Sequence, residues 1–326
     1  MITSSRRDIS RREAIRYLIS GAMAVFSSTY TTIGFADSDG FMGSDGNFRG
    51  IYLDPKLRNE FFLFLKNVFR LYPEEDLHNL IFGKVQKLNS DKDIYNAIVQ
   101  GLPDIKPFLS EIRYALPSLK KQKEVMCKQT VSLLDGKKSF GGYLEIGSTG
   151  RYYDKLKEEL KFSTRPIFIN DIRPSYAPSD VIDRGRVRKY GDFVPLYDYA
   201  SISPDQVADE SIELLTVYIG FHHAPVEKRD LFIDSCYRVL KKGGILVVRD
   251  HDVDSEVMTR FVALAHDVFN AGFELPWESN EAEIRNFTSL IQLEEVLVSR
   301  GFQKDERRLL QEGDPTRNAL IRFTKI

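Results

Sequence analysis

Only five histidines occur in the 326-residue chain, and three of them fall in two short phrases: His222 and His223 in "GFHHAP" and His251 in "VVRDHDV". Histidine is the side chain whose unperturbed pKa lies nearest neutrality, so an imidazole can accept a proton or ligate a metal without help. Asp250, directly before His251, is a carboxylate able to orient such a ring. The expected chemistry is general-base catalysis by His223 or His251, with Asp250 as orienter and His222 alongside. A competing chemistry is a divalent metal on His222, His223, Asp250, His251 and Asp252, since mixed imidazole and carboxylate ligation suits zinc, manganese or iron. Side chains alternate faces along a strand, so neighbours within each phrase diverge unless the strand has ended. The expectation is therefore a base and no metal site. Each ring could also simply pack or cap a helix. His78 and His266 lie in helix-like stretches and read as bystanders.

Adjacent strand ends would bring these phrases together, and the pattern from Gly141 onward supplies them. "GYLEIG", "RPIFIND", "SIELLTVYIG", "GGILVVRD" and "NALIRFTKI" read as strands, separated by helical stretches such as "VEKRDLFIDSCYRVLK" and "TSLIQLEEVLVSRG". That alternation predicts a doubly wound α/β domain with a mostly parallel sheet covered on both faces. In such sheets ligands sit beyond the carboxyl ends of the strands, where strand order reverses. "LEIGSTG" places Glu145 at a strand end and Gly147 and Gly150 in the turn to a helix, where backbone N–H groups stay open to a ligand. Asp171 ends "IFIND", where a carboxylate can accept both hydroxyls of a ribose.

Taken together, residues 137–326 resemble the class I S-adenosylmethionine-dependent methyltransferases. "LEIGSTG" looks like the first motif of the family, "IELLTVYIGFHHAP" is similar to its fourth strand, and "CYRVLKKGGILVVRD" resembles its helix, Gly-Gly turn and fifth strand. The resemblance implies a seven-stranded Rossmann-like sheet, S-adenosyl-L-methionine as cofactor, Asp171 on its ribose, Asp192 of "GDF" at the adenine edge and Tyr218 among the cofactor contacts. It also implies that the fourth and fifth strands are neighbours, so "FHH" and "RDHD" end side by side near the reacting sulfonium. After Gly147 the chain departs from the family's Gly-x-Gly-x-Gly, with Ser148, Thr149, Gly150 and Arg151 in its place. The methyl acceptor, a small molecule or a protein, is not legible.

The rest of the chain bounds the setting. At 42% hydrophobic and 29% charged residues, the composition supports a globular fold of two domains. A formal net charge of −1 offers no overall attraction to nucleic acid, although "DRGRVRKY" (Arg184, Arg186, Arg188, Lys189) is a local basic run. Cys127 and Cys236 suggest neither a disulfide framework nor a zinc spacing. Residues 54–136 read as a helical domain, with "LRNEFFLFLKNVFRLY" at helical spacing and Pro73 and Pro103 at first-turn positions. Residues 37–53 read as a linker. Residues 1–36 have the arginine-rich start, apolar run and small residues of a secretory signal, and "SRREAIRYL" resembles bacterial twin-arginine signals through Ser10, Arg11, Arg12 and Ile15. No other segment approaches the roughly 20 apolar residues of a membrane span.

Export and cofactor pull in different directions, because S-adenosylmethionine is a cytoplasmic compound. Either the start is not a cleaved signal and the protein is cytoplasmic, or an exported chain keeps the fold for non-catalytic or metal-binding use. Changing Arg11 and Arg12 together to lysine is expected to hold a full-length precursor in the cytoplasm. Fractionation of wild-type and variant cells checks this, and an unprocessed wild-type chain in the same compartment as the variant rejects export.

Overall fold

The computed structural model describes residues 46–107 and 111–326, so the expected signal segment lies outside the described residues. The chain opens with helices α1 (Asn47–Tyr52), α2 (Pro55–Phe64), α3 (Glu74–Val85), α4 (Asp91–Ile105) and α5 (Leu116–Leu133), with π-helical turns at Leu65–Phe69 and Glu111–Ala115. Local chemistry sets the starts. The Asp54 carboxylate accepts from the N–H groups of Lys56 and Leu57 with Pro55 at the first helical position, and Ser90 caps α4. Residues 47–52, expected to belong to a linker over 37–53, form α1 instead. Phe48, Ile51 and Tyr52 of α1 are all buried, and the N–H groups of Asn47 and Phe48 are capped by Asp91. Pro103 stands inside α4 near its end, not in a first turn, and Pro73 is the N-cap of α3. His78 is half-buried against Phe62 and Tyr52 and takes no part in the sheet's carboxyl edge, as its reading as a bystander implies.

The sheet is the expected one. Among the described residues it has seven strands: β1 (Tyr143–Ile146), β2 (Ile167–Asn170), β3 (Asp192–Pro195), β4 (Ile212–Val217), β5 (Leu240–His251), β6 (Phe302–Leu310) and β7 (Asn318–Lys325). Their order is β3-β2-β1-β4-β5-β7-β6, parallel except for β7, which runs antiparallel to both β5 and β6. Helices α6 (Tyr153–Glu159), α7 (Pro178–Arg184), α8 (Val226–Val239), α9 (Glu256–Gly272), α10 (Trp277–Glu281) and α11 (Leu290–Ser299) make the connections. Alternate residues of each central strand feed opposite cores, which is why the strands are apolar throughout. Leu144, Leu215, Leu246 and Val248 pack with residues of α8 and α11, while Tyr143, Leu214, Ile245 and Val247 pack with residues of α5 and α6. β6, "FQKDERRLL", carries no apolar run because it is an edge strand with most side chains out. Arg308 on it is held to Glu294 of α11 by two bonds of 2.7 and 2.8 Å.

The helical segment is not independent of the sheet domain. α9 supplies Phe261 and Phe269, whose rings lie 5.4 Å from Phe61, 5.8 Å from Phe64 and 5.0 Å from Phe69, inside one continuous core. Replacing Phe261, which is 1% exposed, with alanine is expected to cost about 3–5 kcal/mol and to lower a single unfolding transition. Urea denaturation followed by tyrosine fluorescence and circular dichroism checks this. Two separated transitions would show that the helical segment folds by itself.

Candidate active site

The turn after β1 is glycine-dependent where expected. Gly147 has φ +91°, and a Cβ there would stand 2.3 Å from Ile219 Cγ2, so no other residue fits without displacement. The turn is also bonded within itself. Ser148 Oγ accepts from the N–H groups of Gly150 (3.1 Å) and Arg151 (2.9 Å), and its hydroxyl donates to Glu145. The fully buried Glu145 also accepts from the Tyr143 hydroxyl (2.7 Å) and from the Tyr152 N–H (3.4 Å), and burial pushes its carboxyl above the usual range. Glu145 and Gly150 therefore shape the turn from inside. Arg151 fills the place of a third glycine, buried, with its Nε on Asp183 at 2.6 Å.

Asp171 follows β2 on the neighbouring carboxyl end. Burial and then repulsion from Asp198 push its carboxyl up to about 6, while the backbone N–H of Asp198 bonds to it. Asp192 is not at this edge. It is the first residue of β3, paired in register with Ile167 at the start of β2, exposed on the amino edge and 3.2 Å from the Arg165 Nε. The carboxyl end of β3 is followed instead by Tyr197, Asp198 and Tyr199, all with left-handed φ of 48°, 54° and 56°. Asp198 is thus the acid at that corner. Tyr218 is likewise corrected, because it lies in the core. Its hydroxyl is 2.7 Å from Thr130 Oγ1 on α5 and its ring is packed edge-on to Tyr152. In the basic run, Arg184 is buried and donates to the backbone oxygens of Ser175, Arg186 and Val187, so that residue supports the loop.

β4 and β5 are adjacent, and the two histidine phrases do meet at their carboxyl ends. Asp250 joins them. Its Oδ1 lies 2.5 Å from His222 Nδ1 and accepts from the His251 N–H (2.9 Å), while its Oδ2 accepts from the Phe221 N–H (2.8 Å). The ring oriented by Asp250 is therefore His222, rather than His223 or His251. Burial pushes the Asp250 carboxyl up, and the bonded His222 more than reverses this, to about 2. Gly220, at φ +81°, makes room for the contact, since a Cβ there would be 2.6 Å from His222 Nδ1.

A fourth histidine completes the group. His266 of α9, read as a bystander in the sequence, is fully buried, with ring centroids 5.4 Å from both His222 and His223 and 6.0 Å from His251. His266 Nδ1 faces Glu283 at 3.2 Å, His223 Nδ1 the Ile284 oxygen at 3.2 Å, and His251 Nδ1 the Thr316 oxygen at 2.9 Å. Burial lowers the affinity of His223, His251 and His266 for a second proton. Each Nδ1 faces an oxygen acceptor, so it carries the hydrogen and leaves the lone pair on Nε2. The signal for His266 was its setting, because His266, Asp267 and Asn270 are polar residues within the apolar run that α9 buries from Phe261 to Ala271. Asp252 stands apart, accepting from the Leu290 N–H at the start of α11.

Behind the rings lies a buried ion network. Arg285 bonds Asp267 (2.7 Å), Glu283 (2.9 Å) and Asn280 (2.7 Å), and Asn47 of α1 reaches Asp267 at 2.9 Å. A cavity of about 890 Å³ opens between the Phe64–Leu71 turn, α5 and the turn joining β6 to β7, with Arg151, Arg249, Thr316, Asn318 and, alone of the four rings, His251 in its wall.

Compared with known proteins, residues 179–248 match the family model described as a methyltransferase domain. No curated protein matches the chain. Among solved structures, similar ones include the 1,6-didemethyltoxoflavin-N1-methyltransferase of Burkholderia thailandensis, solved with 1,6-didemethyltoxoflavin and S-adenosylhomocysteine (11% identity, TM-score 0.43, 71% of this chain and 87% of that one). Another is an S-adenosylmethionine-dependent methyltransferase of Thermotoga maritima, a possible histamine N-methyltransferase (16%, 0.42, 71% and 100%). The N-methyltransferase NodS of Bradyrhizobium japonicum is a third (14%, 0.38, 64% and 96%).

Asp250 should be the most sensitive residue of the site. Asp250→Ala leaves the Phe221 N–H and the His222 ring buried without their acceptor, and is expected to lower unfolding free energy by about 3–5 kcal/mol. Asp250→Asn, which keeps the shape and one acceptor oxygen, should cost less than half as much. A negligible loss in Asp250→Asn beside the full loss in Asp250→Ala, read from urea titrations of the two variants, would show that packing, not the carboxylate, holds the strands together.

Proposed function

We propose that this chain transfers a methyl group from S-adenosyl-L-methionine to a small-molecule acceptor seated in the 890 Å³ cavity. The observation that carries this reading is the placement of Gly147 and Asp171 at the carboxyl ends of the adjacent strands β1 and β2, beside the reversal of strand order between β1 and β4, in a chain whose residues 179–248 match a methyltransferase domain. These residues fit a nucleoside amino acid. Gly147 keeps the backbone bare at the turn, and the partly exposed Asp171 carboxylate can accept the ribose hydroxyls, with Asp198 beside it. When bound, the cofactor supplies a methyl group already activated on a sulfonium. The protein's task is then to position the acceptor in line and to receive any proton it sheds.

The cavity has the size of a small-molecule site, and His251 is the cluster residue in its wall. With Nδ1 anchored on the Thr316 oxygen, His251 keeps the lone pair on Nε2, 3.3 Å from the Asn318 side-chain amide, and an acceptor hydroxyl or amine that takes the place of that amide can pass it a proton. Asp250 positions the neighbouring His222 and, through the His251 N–H, the end of β5.

A second reading, a chain that keeps this fold without methyl transfer, has one observation in its favour. Ser148 and Glu145 already take the N–H groups of Gly150, Arg151 and Tyr152, which leaves fewer amides for a ligand. Export directed by Ser10, Arg11 and Arg12 would accord with that reading.

Titration calorimetry separates the two. S-adenosylhomocysteine is expected to bind wild type, at least tenfold more weakly to Asp171→Asn, and more weakly at pH 5 than at pH 8. The sign follows from Asp171: its carboxyl, raised to about 6, is ionised and able to accept two ribose hydroxyls only above that pH. His251→Ala should lower turnover by about 10²–10⁴ with S-adenosylhomocysteine affinity retained. No binding of either S-adenosyl compound at millimolar concentration overturns the methyltransferase reading in favour of the second.

A further inference from the structure

Four of the five histidines lie in one buried group that spans β4, β5 and α9. Every ring is held the same way at Nδ1, and His251 alone has a contact at Nε2 too, 3.3 Å from the Asn318 side-chain amide, which a metal ion would displace. Nδ1 faces an oxygen acceptor, on Asp250 for His222, Ile284 for His223, Thr316 for His251 and Glu283 for His266. The Nε2 atoms of His222, His223 and His266 are buried with no hydrogen-bond partner. A polar atom buried without a partner costs about 1–3 kcal/mol, so three in one place ask what meets them. One ligand nitrogen from each of His222, His251 and His266 lies within 4.8 Å of the other two.

We propose that His222, His251 and His266 bind a divalent transition-metal ion of the zinc and iron class through Nε2. The donor set is imidazole nitrogen, which suits these ions and not the oxygen-seeking magnesium or calcium. The surroundings are those of imidazole ligands. A ligating histidine donates its other N–H to a carboxylate or carbonyl, which fixes the tautomer and aims the lone pair; Asp250, the Thr316 oxygen and Glu283 serve here. Nitrogen atoms on a tetrahedral ion with bonds of about 2.0–2.1 Å stand about 3.3 Å apart, a distance that small rotations of these rings can reach. A second triple, His223, His266 and Glu283, also converges within 4.8 Å. It is the weaker donor set, because the Glu283 oxygens are already taken by His266, Asn270 and Arg285. Three nitrogen ligands leave at least one coordination position free, and the presence of His251 in the cavity wall gives that position a route to solvent and to a bound acceptor.

This site is independent of the methyl-transfer reading, but it shares one atom with it. Metal on His251 Nε2 engages the lone pair that would otherwise take a proton, and the free coordination position becomes the group facing the cavity. For that reason the test does not use His251.

Full-length protein stripped with a chelator is titrated with Zn²⁺ and with Co²⁺, and S-adenosylhomocysteine binding is measured separately on the same samples. Wild type is expected to take up one equivalent of either ion and to show cobalt d–d absorption without a thiolate charge-transfer band. His222→Ala and His266→Ala should each weaken Zn²⁺ binding at least 100-fold, and Glu283→Gln about 10–100-fold. His78→Ala, at the one histidine outside the group, should leave it unchanged. If the alanine variants do not fold, wild type carries the test by itself, since its melting temperature must rise with Zn²⁺ concentration. Absence of stoichiometric uptake and of that rise overturns the site, whatever the cofactor result. Retained binding in folded His222→Ala, with loss in His223→Ala, overturns the assignment of ligands.

Discussion

The carboxylate of Asp250 is the constraint on which the site depends. It is the last acid of β5, buried, and it accepts three hydrogen bonds: from the His222 ring, from the Phe221 N–H at the end of β4, and from the His251 N–H beside it. Two strand ends are thereby locked at one height. A buried carboxylate survives only when such bonds replace its lost hydration, and here they hold its pKa at about 2. Gly220 is part of the same constraint, because any side chain at that position would occupy the space of the His222 ring. The chain has therefore given up a residue at Gly220 to let imidazole and carboxylate approach.

From that lock the polar interior extends outward in layers. Four imidazoles form the inner layer, with Phe287 against three of them, at centroid distances of 5.2 Å from His222 and His266 and 6.2 Å from His251. Glu283, Arg285, Asp267, Asn270 and Asn280 form the next, and every member has a charged or amide partner within it. Asn47 then links the network to α1, and the phenylalanines of α2 meet those of α9 in the apolar core alongside. The helical segment consequently shapes the site in two ways: it buries the helix that carries His266, and it forms one wall of the cavity. A polar network of this kind rewards complete satisfaction and penalises each gap, which is why the unpartnered Nε2 atoms stand out against their fully bonded surroundings.

The opposite half of the carboxyl edge is built on different terms. Around Gly147 the turn closes on Ser148 and Glu145, and around Asp171 a left-handed run of three residues brings Asp198 into place. Non-glycine residues reach that backbone region at some cost, so the run at Tyr197–Tyr199 is specified by its packing, with Tyr199 fully buried against Phe232. Substituting Arg151 for a glycine forced a further adjustment. A guanidinium with 1% exposure needs a counter-charge, and Asp183, next to Arg184 at the end of α7, provides it. The loop from Asp171 to Tyr190 is thus tied to the turn after β1 by a charge pair, as well as by the sheet.

Sequence by itself determined the sheet domain, because apolar runs of strand length alternating with amphipathic helices have few ways to bury both sheet faces. It also determined that Gly147 and Asp171 lie at strand ends, whereas the expectation that the "FHH" and "RDHD" phrases end neighbouring strands came from the resemblance to the methyltransferases. What it left open followed from information that local pattern does not hold. β6 was unread because an edge strand needs no apolar run, and Asp192 was placed at the wrong edge because three residues of "GDF" do not say where a strand begins. α1 was read as linker because its partners lie far along the chain: its three buried side chains pack in the core with α9, and its first N–H groups are capped by Asp91. The choice of His222 as the partner of Asp250, and the arrival of His266 from a helix 15 residues beyond His251, belong to tertiary structure alone. Which ring faces which carboxylate depends on how strand ends curl and how helices pack across them, and those distances are fixed by contacts distributed over the whole fold.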